Sequence, residues 1–362
     1  MICCTTCYQS YPEIATPYCC PNCGGVFDFA DLPPFDPKRV VPNQPGIWRY
    51  RHTFGLLIDA PVVSLGEGDT PLVWTKVFGK DVAFKLEYLN PTGSFKDRGT
   101  VLLVSFLRAR GIDGAVEDSS GNAGASFAAY AAGAGLKVRV FVPEYASGPK
   151  RAQIAAFGAE VVSVPGPRSN AAEAVQLAAE QGAVYASHAY LPQGLPGFAT
   201  VAYELYEQLG GAPGAVITPA GQGSLLLGIG RGFAAMRDAG VIDDLPVLVG
   251  VQAAACAPLW ALYQYGPSGI ERVSEGETRA EGVRIIQPHR SEVILELVKS
   301  SKGLFVAVEE GKILPGRDEL AHRGFYVEPT SAIVWDALAQ VMGQVPEPIV
   351  VALTGSGLKS NQ

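Results

Sequence analysis

The chain has 362 residues, 48% of them hydrophobic, and a formal net charge of −7. That length and apolar fraction suit a globular protein with more than one domain rather than a disordered chain. The charge speaks against a nucleic-acid groove or an anionic membrane as partner, and no apolar run reaches the ~20 residues that a membrane span needs.

The start shows cysteines where a secretory leader would show a basic stretch and an apolar one, so the expected location is the cytoplasm. Six of the seven cysteines fall in the first 23 residues, and only Cys256 lies elsewhere. A disulfide framework would spread its cysteines through the fold, whereas crowding at one end points to a metal. Cys4-Thr5-Thr6-Cys7 and Cys20-Pro21-Asn22-Cys23 form two Cys-x-x-Cys knuckles, and Gly24-Gly25 permits the tight turns that bring backbone N–H groups to sulfur. Cys4, Cys7, Cys20 and Cys23 are therefore the expected ligands of a structural Zn2+ in a ribbon over residues 1–25. Cys3 and Cys19, beside the knuckles, leave the choice within each pair open. Residues 26–69, rich in proline and aromatics (Pro33, Pro34, Pro37, Trp48, Tyr50, Phe54), read as an arm wrapping the body.

From residue 70 to 362 short apolar strands alternate with alanine-rich helices. The strands expected are Val82–Leu86, Val138–Val142, Val161–Val164, Ala215–Thr218, Val247–Val251 and Ile349–Leu353, and the helices include Ala123–Ala132, Asn170–Gln181, Phe198–Leu209 and Leu225–Arg237. Buried strands alternating with helices predict an α/β protein built from doubly wound parallel sheets. A smaller subdomain of about residues 98–195 is expected to be inserted in a larger one. Ligands in such folds bind beyond the carboxyl ends of the strands, so the loops after strands carry the information.

Three such loops stand out. In Asn90-Pro91-Thr92-Gly93-Ser94-Phe95-Lys96, a lysine beside Phe95 loses hydration, which favours the neutral, nucleophilic amine. In Ser119-Ser120-Gly121-Asn122-Ala123, hydroxyls and free N–H groups meet at a helix start, which suits a carboxylate. In Gly221-Gln222-Gly223-Ser224, glycines let the backbone close on a small phosphate group, although neither the Walker nor the dinucleotide spacing is present. Each loop by itself reads equally well as an exposed lysine, an N-cap or a tight turn. Together they match a cofactor with an aldehyde and a phosphate, bound beside an amino acid.

The sequence resembles the fold-type II pyridoxal-phosphate enzymes, and within them the threonine synthase family. The resemblance rests on Asn90-Pro91-Thr92-Gly93-Ser94-Phe95-Lys96-Asp97-Arg98, Ser119-Ser120-Gly121-Asn122, Gly221-Gln222-Gly223-Ser224, Glu328-Pro329-Thr330-Ser331-Ala332 and Leu353-Thr354-Gly355-Ser356-Gly357-Leu358-Lys359. It implies pyridoxal 5'-phosphate joined to the catalytic Lys96, with Asn122, Gly221, Gln222, Gly223, Ser224 and Thr354 also binding the cofactor. It implies that Ser94, Ser119, Ser120, Ala123 and Ser187 line the substrate and that the enzyme is a homodimer. The implied reaction on O-phosphohomoserine uses Lys96 as the base at Cα and Cβ, loss of phosphate from Cγ and addition of water at Cβ.

Where the family grips the substrate phosphate with a threonine, an arginine and an asparagine, this chain has Ala123, Leu191 and Gln222. His188 or Lys150-Arg151 would have to compensate. A β-eliminating or β-replacing enzyme with the same cofactor is the alternative reading. An adaptor role for the ribbon on a dead body fits poorly with an acidic chain that retains Lys96. Cys256, His52, His289 and His322 read as structural or exposed.

Overall fold

The computed structural model describes residues 1–57, 59–146 and 148–360. In chain order it begins with strands β1 (Ile2–Cys4) and β2 (Phe27–Phe29) and the hairpin β3 (Leu72–Val77) and β4 (Lys80–Lys85). Then come α1 (Lys96–Ala109), β5 (Gly114–Glu117), α2 (Asn122–Gly133), β6 (Lys137–Pro143), α3 (Pro149–Ala156), β7 (Glu160–Val164), α4 (Arg168–Glu180) and α5 (Leu195–Leu209). Strand β8 (Ala215–Pro219), helix α6 (Ser224–Asp238) and strands β9 (Val247–Ala253), β10 (Leu304–Val308) and β11 (Ile349–Ala352) follow, with further helices between the last strands. Among the described residues no helix is long and apolar enough to cross a membrane. The chain divides into two compact units, one of Met1–Glu67 with Lys96–Gly197, the other of Gly68–Phe95 with Phe198–Ser360.

The first unit has the parallel sheet β5-β6-β7. Its inner strand β6 buries Val138, Val140 and Val142 on one face and Phe141 on the other. Residues beyond α4 return to β5, where the Val116 and Ala186 N–H groups donate to the Val184 and Val116 carbonyls at 2.8 and 2.9 Å. The alanines of α2 are small enough to bring it close to α1, where Ser126 Oγ donates to Asp97 Oδ1 at 2.6 Å. The amino-terminal residues belong to this same unit. β1 pairs antiparallel with β2, and Arg110 at the end of α1 donates to the Pro12 carbonyl at 2.8 Å. Residues 26–67 supply core as well as cover. Ile47, Trp48, Tyr50 and Phe54 are buried, and Glu67 accepts hydrogen bonds from Trp48 Nε1 at 3.1 Å and Tyr130 Oη at 2.9 Å.

The second unit has a six-stranded sheet in the order β10-β9-β8-β11-β4-β3. Every neighbouring pair is parallel except β3 with β4, an antiparallel hairpin at one edge. The central strands are apolar on both faces, as expected of a sheet covered by helices on both sides. β3 leaves Val73 and Trp74 exposed and so lacks the pattern of a buried strand.

A charge sits inside this apolar setting. Lys85 Nζ, at the end of β4, donates to Glu204 Oε2 at 2.7 Å, Gln208 Oε1 at 2.9 Å and the Thr70 carbonyl at 2.8 Å, and both charged side chains are fully buried. Removing one member of such a pair leaves an uncompensated charge, which costs about 3–5 kcal/mol. Lys85→Met is therefore expected to lower the free energy of unfolding by that amount, read from the denaturant midpoint, and adding Glu204→Leu should recover part of it. If Lys85→Met unfolds at the wild-type midpoint, the pair does not hold the unit.

Candidate active site

In the second unit the loop after β4 is tied down residue by residue. Thr70 Oγ1 donates to Glu87 Oε1 at 2.7 Å, and Asn90 Nδ2 donates to Glu87 Oε2 at 3.0 Å. The Gly68 N–H donates in turn to Asn90 Oδ1 at 2.9 Å. Further along, the Phe95 N–H donates to the Thr354 carbonyl at 3.0 Å, and the Ser356 N–H donates to the Gly93 carbonyl at the same distance. Lys359 Nζ donates to the Thr92 carbonyl at 2.7 Å. The two sequence signatures of residues 90–95 and 353–359 thus form one bonded structure. Ser94 Oγ is buried in it without a protein partner, a polar atom suited to a ligand. Thr354 is buried, and Ser331 Oγ accepts a hydrogen bond from its N–H at 2.8 Å, so its position is fixed from both sides of its backbone.

Gly221–Ser224 joins β8 to the start of α6, where the first N–H groups of a helix have no partner within it. Gly223 has φ +74°, and a Cβ on Gly221 would approach the Gly282 carbonyl oxygen to 2.7 Å. The loop closes only with glycine at these places. The side chain of Gln222 turns elsewhere, its Oε1 accepting from the His289 N–H at 3.2 Å.

In the first unit Lys96 opens α1 and is half-buried. Ser119, Ser120 and Gly121 lead into α2 at Asn122. A Cβ on Gly124 would lie 1.8 Å from the Ser119 carbonyl oxygen, so this helix start and its loop touch backbone to backbone. Ser119 Oγ accepts from the Gly121 N–H at 3.2 Å and shapes the turn. Ala123 is buried and brings no polar atom.

Ser187 is buried, and its neighbour His188 reaches a pair of carboxyl groups that sequence reasoning passed over. His188 Nδ1 lies 3.0 Å from Glu117 Oε1, and the other Glu117 oxygen accepts from the Asp118 N–H. Tyr185 Oη donates to Asp118 Oδ1 at 2.8 Å, and Arg168 lies 3.8 Å from Asp118 Oδ2. Burial pushes the Glu117 carboxyl up from its ordinary value. Burial and then the neighbouring Glu117 charge raise Asp118 to about 6. Burial, followed by the Lys96 charge, holds His188 well below its ordinary value. Both members of the His188–Glu117 contact are thus driven toward their uncharged forms, and it is a hydrogen bond rather than an ion pair. A Glu-Asp pair ending a buried strand just before a ligand-type loop is the one sequence signal of this cluster.

Other expectations meet a different fate. Leu191 is 2% exposed, a core side chain rather than a ligand-facing one. Arg151 donates to the Ala146 carbonyl and to Ser163 Oγ, so it serves its own loop. At the amino terminus the Sγ atoms of Cys4, Cys7, Cys20 and Cys23 lie within 4.8 Å of one another. Cys4 to Cys23 is 3.5 Å and Cys7 to Cys20 is 3.6 Å, far beyond a disulfide bond. These distances are close to the ~3.8 Å edge of a tetrahedron of sulfurs ~2.3 Å from a zinc ion. Cys3 and Cys19 are not part of this group.

Residues 63–355 match the family model described as pyridoxal-phosphate dependent enzyme. The threonine synthase of Methanocaldococcus jannaschii is 32% identical over 374 residues, covering 98% of this chain and 92% of that one. The threonine synthase of Synechocystis is 35% identical over 320 residues, 86% of this chain and 82% of its own. Among solved structures, a T.th. threonine deaminase superposes with a TM-score of 0.67 at 28% identity, covering 81% of this chain and 94% of that one.

Proposed function

The chain belongs to the pyridoxal-phosphate dependent enzymes and, within them, to the threonine synthase family, and from that premise we propose that it converts O-phosphohomoserine to threonine and phosphate. The observation that carries the proposal is a family likeness extending over nearly the whole chain, with Lys96 intact directly after a turn whose backbone is bonded to Thr354 and Ser356.

The donor set suits the cofactor. Lys96 offers an amine for its aldehyde, Gly221–Ser224 at the start of α6 offers N–H groups for its phosphate, and Asn122 and Thr354 offer polar atoms for its ring. Bound pyridoxal phosphate supplies an electron sink for charge developing on the substrate carbons. The protein has to do the rest. Ser119, Ser120 and the N–H groups beginning α2 hold the substrate carboxylate, and Ser187 in the same unit and Ser94 in the other each offer a hydroxyl. With its amine free, Lys96 would take a proton from Cα and then move one at Cβ. Thr354 would offer the ring nitrogen a neutral hydroxyl instead of a carboxylate, a partner that would not hold that nitrogen protonated and so would favour elimination over amino transfer.

We assign Cys4, Cys7, Cys20 and Cys23 to one structural zinc ion. All four positions would be filled by cysteine sulfurs, so none is left open for chemistry.

One observation favours a second reading, β-elimination from a hydroxy amino acid. Leu191 is buried and the Gln222 side chain is engaged, so neither acts as an obvious phosphate ligand. Product analysis with O-phosphohomoserine, O-phosphoserine, serine and threonine separates the two. The proposal expects threonine from the first compound; a keto acid from serine or threonine, with no threonine formed, would favour the second. Borohydride should fix the cofactor on Lys96, and Lys96→Ala should lower turnover on the order of 10³-fold or more.

For the ribbon, metal analysis should find one zinc per chain. Cys7→Ser or Cys23→Ser should lose it and melt at a lower temperature, because binding and folding of so small a module are coupled. Loss of zinc with an unchanged melting temperature would refute the structural role.

A further inference from the structure

The His188–Glu117 contact has a directional consequence. The Glu117 side chain is 1% exposed, while that of His188 keeps 22%. Glu117 takes up Nδ1, so the ring nitrogen left for a ligand is Nε2. Register makes this reproducible. The stretch Val184–Ala186 is hydrogen-bonded to Val116 on β5, so residue 188 arrives beside residue 117 at the strand's carboxyl end. The charged and titratable groups around the pair are Lys96, Asp118, Arg168 and Tyr185.

We propose that His188, held through Nδ1 by the buried Glu117, presents an Nε2–H donor to an anionic oxygen of the substrate and is a specificity-determining residue of this chain. This rests on the threonine synthase reading above. The phosphate-gripping role that Ala123 and Leu191 do not fill falls to a neutral donor. The proton inventory follows from Glu117. A carboxylate there would accept from Nδ1–H and leave Nε2 as a bare acceptor that repels an anion. A protonated carboxyl donates to Nδ1 instead, and the ring's one remaining proton then sits on Nε2. Burial favours the second arrangement, in line with the upward shift of Glu117 and the downward shift of His188. A glutamine at 117 donates in the same sense as a protonated glutamate, whereas a leucine does not.

Nitrogen-15 spectra of the histidine-labelled holoenzyme at pH 7 test the pair directly. Only four histidines are present, and the other three (His52, His289, His322) are removable one at a time for assignment. The expected signal for His188 is a neutral ring with Nε2 protonated and Nδ1 bare. A ring protonated at Nδ1 alone, or at both nitrogens, overturns the proposal. Titration with inorganic phosphate should move the Nε2 signal, and with threonine should leave it nearly still if the oxygen gripped is a phosphate oxygen. If threonine moves it as strongly, the oxygen is that of the carboxylate; if neither ligand moves it, His188 grips no anion. In kinetics, His188→Ala should raise KM for O-phosphohomoserine roughly 10–100-fold, with a smaller change in kcat. Glu117→Gln should stay near wild type, while Glu117→Leu should resemble His188→Ala. A Glu117→Gln variant as impaired as Glu117→Leu would mean that the carboxyl acts as an anion and would also overturn the proposal. The spectra do not depend on the reaction, so an enzyme that makes no threonine yet keeps the expected tautomer would fail the proposed function alone.

Discussion

The site depends first on keeping the Asn90–Phe95 turn still, because Lys96 is the next residue. Stillness comes from buried polar partners. Glu87 and Asn90 bind each other and the segment from Gly68 to Thr70, while the 353–359 signature meets the turn through backbone hydrogen bonds. Each buried donor or acceptor there would cost about 1–3 kcal/mol if left unmade. The network therefore resists any rearrangement that breaks a single bond. The Lys85–Glu204 pair anchors the same segment from below, since Lys85 binds the Thr70 carbonyl and Glu204 accepts from the Asp69 N–H at 2.9 Å. A buried ion pair is a poor source of stability by itself, but it tolerates few alternative arrangements. Here it fixes where a loop begins.

The first unit solves a different electrostatic problem. On the proposed mechanism it needs polar groups near the Lys96 amine, but a full carboxylate beside that amine would stabilise the ammonium and blunt it as a base. Burial pushes the Glu117 and Asp118 carboxyls upward, and His188 Nδ1 shares a hydrogen bond with the deeper of the two. The cluster holds its side chains by directional hydrogen bonds, with Tyr185 and Arg168 on the Asp118 side.

Much of the architecture is legible in the sequence, since parallel strands buried on both faces read as plain apolar runs; β10 meets the same test and extends the set. Strand β3 escapes because it is an exposed edge, where Val73, Trp74 and Lys76 alternate with nothing that marks a core. The places of the three loops after strands are legible because their glycine, serine and asparagine interrupt the apolar runs, while a ligand is indicated only by the three together. Which cysteines converge is not, because Cys3 and Cys4 differ only in the direction that β1 gives their side chains. Nor is the meeting of His188 with Glu117, 71 residues apart, which is set by a strand register that spacing does not encode. Leu191 and Gln222 show the reverse case, positions singled out by family pattern whose side chains are used for packing and for a backbone hydrogen bond.

The central claim is that this chain replaces a phosphate on one substrate carbon with a hydroxyl from water on the next. The most direct measurement is turnover of O-phosphohomoserine in water enriched in oxygen-18, with mass analysis of both products. Cleavage between Cγ and oxygen, followed by water addition at Cβ, puts the label in the threonine hydroxyl and none in the released phosphate. Homoserine accompanied by labelled phosphate would mean that the phosphorus–oxygen bond had been hydrolysed, and would contradict the account.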